Sequence, residues 1–242
     1  QIIKFQIFKT FERAIKGHKE WDIFDKLELS NEEWQKQIEY AKNKGLYVFA
    51  DVYGYDSYSF AQQMNIDGYK IHSEDLLNTE FILEVCKSKK IVMIGVGGAK
   101  RKEISELIKQ ININVPLSKI ILMTGVQTFP TPVEAHSIKE VSDLALKYSK
   151  YDVKLGFSDH VDGSKNESFI LPLMAFSAGA GVIEKHLTFN RKDKWIDYHS
   201  ALSFNDFKEF IKQTKLLCGL LDKIGEMNDF EKSYRKMFKK SP

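Results

Sequence analysis

Two lysines lie inside apolar stretches of the sequence, where an ammonium group is costly. Lys4 lies within the stretch 2–6 and Lys70 within the stretch 68–72. A buried ammonium needs an anionic partner, and a nearby Asp or Glu would serve for either lysine alone. Two such cations at one end of a sheet favour a bound phosphate or carboxylate instead. We therefore expect that neither lysine is neutralised by a carboxylate of its own.

Two histidines end neighbouring apolar stretches and could converge on one point. They are His160 and His186. Neutral imidazoles a few ångströms apart are typical ligands of a divalent ion. Three carboxylates could complete the ligand set or orient it: Asp159, Glu184 and Asp197. From the residues alone, ordinary hydrogen-bonded histidines remain a slightly favoured alternative.

Three glycines follow a further apolar stretch, at Gly95, Gly97 and Gly98. Backbone amides in such a turn could cradle a phosphate. A tight turn between a strand and a helix is the favoured interpretation.

Short apolar stretches alternate with longer amphipathic ones, and this alternation predicts the elements that position these residues. The predicted strands are Ile2–Gln6, Tyr47–Val52, Gly68–His72, Ile91–Gly95, Ile120–Thr124, Lys154–Ser158 and Val182–Leu187. The predicted helices are Asn31–Lys44, Ser57–Met64, Thr79–Ser88, Lys102–Ile111, Val133–Ser149, Glu167–Ala178 and Ser203–Ile224. Strict alternation indicates a parallel sheet with right-handed crossovers.

Seven strand–helix units are one short of a (β/α)8 TIM barrel, the fold we predict. The alternative is an open, doubly wound sheet, but the sequence lacks a glycine-rich nucleotide turn after a strand. Because Gln1 opens directly onto a predicted strand, we expect a truncated barrel whose first strand is missing. The strands Ile2–Gln6 and Val182–Leu187 would then be edges on either side of a gap. In a barrel the active site lies at the carboxyl ends of the strands.

Composition excludes several classes of protein. The 242 residues are 43% hydrophobic and 29% charged, which is ordinary for a globular domain. The net charge of +3 gives no argument for nucleic acid as a partner. No apolar run reaches the roughly 18 residues that a membrane span needs. Cys86 and Cys218 are expected to be reduced packing residues, as in a cytoplasmic protein.

Several motifs occur in one order along the chain and together resemble the sialic acid synthase family, the N-acetylneuraminate and related nonulosonate synthases. The motifs are Lys4-Phe5-Gln6, Tyr69-Lys70-Ile71-x-Ser73, Phe129-Pro130-Thr131-Pro132, Gly156-Phe157-Ser158-Asp159-His160, Ile183-Glu184-Lys185-His186 and Asp197-Tyr198-His199-Ser200-Ala201-Leu202. The resemblance runs through essentially the whole chain.

The resemblance implies a TIM-barrel transferase that condenses phosphoenolpyruvate with an N-acylated hexose, such as N-acetylmannosamine, and releases phosphate. The resemblance also implies that this transferase requires a divalent ion, manganese or magnesium. The implied roles are metal binding by His160 and His186, catalysis by Glu184 and Lys70, and substrate binding by Lys4, Lys70, Ser73, Gln127, Ser158 and Asp197. It further implies that the full-length protein is a homodimer. From composition we expect a cytoplasmic protein with no membrane or nucleic-acid partner.

The chain departs from the family pattern at several positions. The first strand, which supplies a catalytic glutamate, is absent, so the fragment alone is expected to be inactive. Gly95 replaces a serine, and Gln127 and Phe129 replace an asparagine and a tyrosine. We expect a barrel over 1–228, and a basic boundary segment over 229–242 leading to an absent antifreeze-like domain.

Two other functions stay open at this point. One is another phosphoenolpyruvate-dependent synthase of 3-deoxy sugar acids. The other is a catalytically inactive, sugar-binding barrel.

Overall fold

Eight parallel strands in chain order form the curled sheet of a (β/α)8 TIM barrel, as predicted. The structure, a computed structural model, describes residues 1–221, 225 and 227–238. The strands are β1 (Ile2–Ile7), β2 (Tyr47–Val52), β3 (Gly68–Ile71), β4 (Ile91–Gly95), β5 (Ile120–Thr124), β6 (Lys154–Asp159), β7 (Ala180–Thr188) and β8 (Ala201–Ser203). The helices are α1 (Thr10–Arg13), α2 (Trp21–Leu27), α3 (Asn31–Asn43), α4 (Tyr55–Gln63), α5 (Thr79–Cys86), α6 (Arg101–Asn114), α7 (Ile138–Ser149), α8 (Glu167–Ser177), α9 (Phe204–Leu221) and α10 (Asp229–Phe238).

The count of seven strands was wrong, because β8 is a short eighth strand that the sequence pattern did not indicate. It pairs with the end of β7, in the register His186↔Ala201 to Thr188↔Ser203. The edge predicted at Val182–Leu187 is therefore covered at its carboxyl end. In the part of the chain that the structure describes, the first half of β7 pairs with β6 alone.

The sheet packs on both faces, and this sorts the side chains along each strand. An inner cluster joins side chains from different strands inside the barrel: Phe49, Met93, Ile121, Met123 and Val182. Successive strand residues alternate between faces. The residues two positions further along, such as Asp51, Gly95 and Glu184, therefore face the same interior at the carboxyl ends. A larger cluster on the outer face packs the strands against the helices.

The seven predicted helices are all present, with shifts of a few residues at most of their ends. Residues Val133–Ala135 form a separate 3-10 turn, and α7 begins at Ile138. At the start of α3 the Ser30 side chain accepts a hydrogen bond from the Glu33 amide, in a capping box. The short helices α1 and α2 were missed, because neither is long enough to show a helical period.

The predicted boundary segment contains a helix, α10, which begins at Asp229 and ends at Phe238. The predicted end of the preceding helix at Ile224 and the basic residues Lys239 and Lys240 lie outside the described residues. Within the described part of the chain, no helix has the length and apolarity needed to cross a membrane. Cys86 is buried and Cys218 is half-buried, and both are free thiols.

Candidate functional site

Two lysines and two carboxylates form a charged cluster toward the carboxyl ends of four strands. This charged cluster consists of Lys4 on β1, Asp51 on β2, Lys70 on β3 and Glu184 on β7. Lys4 Nζ lies 2.7 Å from Asp51 Oδ2, and Lys70 Nζ lies 2.6 Å from Glu184 Oε1. The crossed distances are longer, 3.6 Å from Lys4 to Glu184 and 3.9 Å from Lys70 to Asp51. The charges therefore form a shared network.

The expectation that neither lysine is neutralised by a carboxylate of its own was wrong. Each ammonium has one close carboxylate and a second one nearby, and the formal charges of the cluster cancel. Burial alone would lower the pKa of Lys4, but Asp51 and Glu184 raise it above its ordinary value. Burial alone would raise the pKa of Glu184, but Lys4 and Lys70 bring it well below its ordinary value. Lys4 and Glu184 are therefore both charged at neutral pH.

Asp51 is the member of the charged cluster that the sequence did not indicate. Its side chain is fully buried, and the strand register places it between Gln6 and Lys70 on the neighbouring strands. Its Oδ1 atom is buried with no hydrogen-bond partner, whereas Oδ2 accepts from Lys4. The available signal was a carboxylate within the otherwise apolar stretch Tyr47–Val52, since such a group must be paired when buried.

His160 and His186 lie side by side above the charged cluster, with their ring centroids 5.4 Å apart. The His160 Nδ1 atom lies 2.9 Å from the Val126 carbonyl oxygen. If Nδ1 donates to that carbonyl, the lone pair of Nε2 is left free for a ligand. Burial lowers the pKa of His160 to about 4 and that of His186 to about 3. Both imidazoles are therefore neutral at physiological pH, the form that binds metal ions.

The two imidazoles are suitable ligands for a divalent ion. The other ligands of that ion would have to come from elsewhere. Among the described residues, no group of three or more His, Cys, Asp or Glu side chains is placed to hold one ion. Asp159 does not complete the set, because it pairs with Lys185 on the outer face of the barrel. Water or substrate oxygens would therefore have to supply the remaining positions.

Asp197 lies on the loop between β7 and β8, and that loop is fastened to the barrel. Its Oδ2 atom is 3.9 Å from His186 Nδ1, and burial raises its pKa. Arg191 donates to the backbone carbonyls of Tyr198 (2.8 Å) and Ala201, and its Nη2 atom donates to Asp162 Oδ1 at 2.9 Å. These contacts hold the loop that places Asp197 beside the two histidines.

The remaining predicted site residues lie around the same end of the barrel. Ser158 donates to Glu184 Oε1 at 3.2 Å and is buried. Gln127 is half-buried, and its amide donates to the Gly125 carbonyl at 3.4 Å, within its own loop. A Cβ atom at Gly95 would lie 2.7 Å from the Ser73 backbone nitrogen. A serine at position 95, as in the family pattern, would therefore not fit while Ser73 keeps this position.

A second polar group above β2 and β3 was also missed. The Arg13 guanidinium lies 4.0 Å from the centroid of the Tyr53 ring and pairs with Glu74. Gln6 donates to the Tyr53 hydroxyl at 3.0 Å. The Nδ1 atom of His72 is buried and has no hydrogen-bond partner. These side chains form the wall of the barrel mouth opposite His160 and His186.

The fold and the site define a TIM-barrel protein with a charged cluster and paired imidazoles at the carboxyl ends of its strands. The chain belongs to the NeuB family, whose sequence profile matches residues 1–224. An uncharacterized protein of Methanocaldococcus jannaschii is 29% identical over 89% of this chain and 61% of its own length. Pseudaminic acid synthase of Campylobacter jejuni is 28% identical over 74% of this chain and 50% of its own length. The chain thus spans roughly half to two thirds of the length of the curated relatives it matches.

Solved structures share the fold. A sialic acid synthetase from Leptospira borgpetersenii superposes with a TM-score of 0.85 at 24% identity, over 98% of this chain and 81% of that chain. A DAHP synthase from Thermotoga maritima superposes with a TM-score of 0.66 at 17% identity, over 91% of this chain and 61% of that chain. At these identities the likeness shows a common barrel fold.

Proposed function

We propose that this chain is the barrel of a nonulosonate synthase, which condenses phosphoenolpyruvate with an N-acylated hexose such as N-acetylmannosamine and releases phosphate. Membership of the NeuB family and the names of its relatives as synthases of such acids support the reaction class. The observation that carries the proposal is that Lys4 and Lys70 lie at the same end of the barrel as His160 and His186, near enough for their charges to act on both rings. One barrel mouth thus offers cations for an anion and imidazoles for a metal ion.

The two lysines would hold the phosphate and the carboxylate of phosphoenolpyruvate. The new carbon–carbon bond forms between the enol carbon and the aldehyde carbon of the sugar. Water then adds at the carbon that carries the phosphate, and phosphate leaves. Ammonium groups fixed in a buried site stabilise the charge that moves through these steps. Ser73 and Ser158 would add hydroxyl donors to the same anion.

Glu184 would act in its ionised form. Because the lysines keep its pKa low, it is a poor proton donor at neutral pH. Its contacts instead orient the Lys70 ammonium and the Ser158 hydroxyl. We propose that this orientation is its contribution to catalysis.

His160 and His186 would hold the divalent ion, manganese or magnesium. When bound, this ion would polarise the aldehyde oxygen of the sugar as a Lewis acid. Asp197 and Gln127 would bind the sugar from the loops around the ion. Phe129 packs against His160, with the ring centroids 4.3 Å apart and the ring planes tilted by 53°. The family resemblance further supports a cytoplasmic homodimer.

The test is phosphate release from phosphoenolpyruvate by the full-length protein, with and without manganese. The sugars are a panel of N-acylated hexoses and, for comparison, sugar phosphates without an N-acyl group, and mass spectrometry identifies the products. We expect a product that is the sum of the two substrates and water minus phosphate, formed only with the metal. His186→Ala should abolish it, whereas His199→Ala, on the adjacent loop, should retain it. Turnover only of sugar phosphates without an N-acyl group would favour a 3-deoxy sugar acid synthase. Sugar binding with no phosphate release would favour an inactive barrel.

A further inference from the structure

The charged cluster is electrically balanced before any substrate binds. Lys4 and Lys70 carry two positive charges, and Asp51 and Glu184 carry two negative ones. All four groups lie in the barrel interior, where Lys70 is 4% exposed and Asp51 is 0% exposed. An arriving anion therefore meets a neutral site.

A phosphate and a carboxylate that bind here would add negative charge beside two buried carboxylates. Like charges close together in a poorly solvated place strongly disfavour one another's ionised form. The anion would also take over ammonium hydrogen bonds that the carboxylates now accept. One carboxylate would then lose its partner, and a buried carboxylate without a partner is costly.

Asp51 is the carboxylate of the cluster with fewer hydrogen bonds. Glu184 Oε1 accepts from Lys70 at 2.6 Å and from Ser158 at 3.2 Å, and Oε2 lies 3.6 Å from Lys4. Asp51 accepts one hydrogen bond, from Lys4, and its Oδ1 atom is buried with no partner.

The other groups that face Asp51 do not replace a lost lysine contact. Lys4 and Lys70 face it from β1 and β3, and those are the contacts that the anion would take. The remaining charged or titratable groups nearest to it are Tyr53, His72 and Asp75. Tyr53 and Asp75 offer no positive charge. Burial lowers the pKa of His72, so that its ring is neutral at physiological pH.

We propose that Asp51 takes up one proton from solvent when phosphoenolpyruvate binds, and so frees Lys4 to hold the anion. The new O–H bond makes Asp51 neutral, and its carboxyl group can then donate a hydrogen bond to a ligand oxygen. This inference rests on the proposed function, since it concerns how the same site accepts its anionic substrate. Binding of phosphoenolpyruvate is therefore coupled to proton uptake, and its affinity falls as pH rises.

Isothermal titration calorimetry with phosphoenolpyruvate tests this directly, without added metal and in buffers that differ in ionisation enthalpy. Measurements at about pH 8 keep the ligand's phosphate fully ionised, since the second pKa of a phosphomonoester is about 6. We expect uptake of about one proton by the wild type, and affinity that weakens about tenfold per pH unit. Asp51→Asn should bind with near-zero proton uptake and a flat pH profile.

Asp67→Asn is the matched control, because Asp67 is exposed and lies just before β3, at the opposite end of the barrel. It should retain proton uptake. Binding by the wild type with heats independent of the buffer would overturn the inference, as would proton uptake that persists in Asp51→Asn. If Asp51→Asn does not fold, the buffer and pH dependence of the wild type decides. Absence of phosphoenolpyruvate binding by both the wild type and Asp67→Asn would instead refute the proposed function.

Discussion

Neighbouring residues on one strand of this chain have different roles, because their side chains point to opposite faces of the sheet. In the segment Ser158-Asp159-His160, the first and third side chains face the barrel interior, where Ser158 donates to Glu184 and His160 lies beside His186. Asp159 faces outward and pairs with Lys185, which also donates to the Ser168 carbonyl of α8 at 3.2 Å. One short motif therefore both builds the site and fastens the helix behind it.

Lys70→Ala should weaken phosphoenolpyruvate binding by about 1.5–3 kcal/mol, the worth of a charge-assisted hydrogen bond. The dissociation constant from calorimetry would measure this loss. Lys154→Ala, at the exposed opposite end of the barrel, should leave the constant unchanged. An unaltered constant in a folded Lys70→Ala protein would contradict the anion site.

Asp75→Asn should stabilise the protein at pH 8 but not at pH 4. Burial raises the pKa of Asp75 to about 6 from an ordinary value of 3.8, and neighbouring Glu74 adds to the effect. Between these two values the folded state holds the proton more tightly, so stability from this group is lost as pH rises from about 4 to 6. Urea unfolding midpoints of both proteins at the two pH values measure the effect. An equal shift at both pH values would contradict it.

Among the elements, the loop between β7 and β8 is held by several hydrogen bonds from one guanidinium, together with the Ser200 hydroxyl, which donates to the His160 carbonyl at 2.7 Å. Arg191 lies in a 3-10 turn after β7 and reaches back to carbonyls just before and within β8, while Asp162 after β6 fixes its other side. Gly163 gives this side chain room, because a Cβ atom there would lie 2.4 Å from Arg191 Nη1. The loop thus places Asp197 through contacts to three strand ends.

Arg191→Met should raise the KM for the sugar while leaving phosphoenolpyruvate affinity nearly unchanged. The loop that carries Asp197 would lose the hydrogen bonds from Arg191, but the charged cluster does not contact Arg191. Steady-state kinetics with each substrate varied in turn would separate the two effects. The control is Arg101→Met, which removes an exposed pair with Asp143. An equal increase in KM for both substrates would mean that Arg191 supports the whole barrel instead.

The molecule as a whole places an apolar floor under a polar mouth. Inside the barrel the inner cluster of apolar side chains lies one layer below the charged cluster. Met123 belongs to this floor and is fully buried. Its sulfur occupies the space that a Cβ atom at Gly156 would need, at 2.3 Å. The packing of the interior therefore supports the site from beneath.

Met123→Ala should cost about 2–5 kcal/mol of the free energy of unfolding, as expected for a cavity in a core. It should also weaken phosphoenolpyruvate binding, because the layer above loses its support. Ile82→Ala on the outer face is a matched control, since Ile82 is also fully buried but packs between helices and strands. It should cost similar stability without changing the dissociation constant. Equal effects of both variants on binding would argue against a supporting floor.

Sequence by itself determined the barrel class, seven of the eight strands and most of the residues at the mouth. Strand and helix periods are local properties, so alternation was visible without any long-range contact. The carboxyl-end rule of parallel barrels then placed Lys4, Lys70, His160 and His186 at one end of the molecule. The short strand β8 has three residues, too few to show a period.

Only the tertiary structure decided how the charges pair. Lys70 and Glu184 are 114 positions apart in the chain, and Lys4 and Asp51 are 47 apart. Such pairs follow from strand order, register and the curl of the sheet, which leave no local trace in the sequence. The same geometry turned Asp159 away from the histidines and toward Lys185. The neutral charge of the site at rest is thus a property of the fold, because it depends on which strand ends meet.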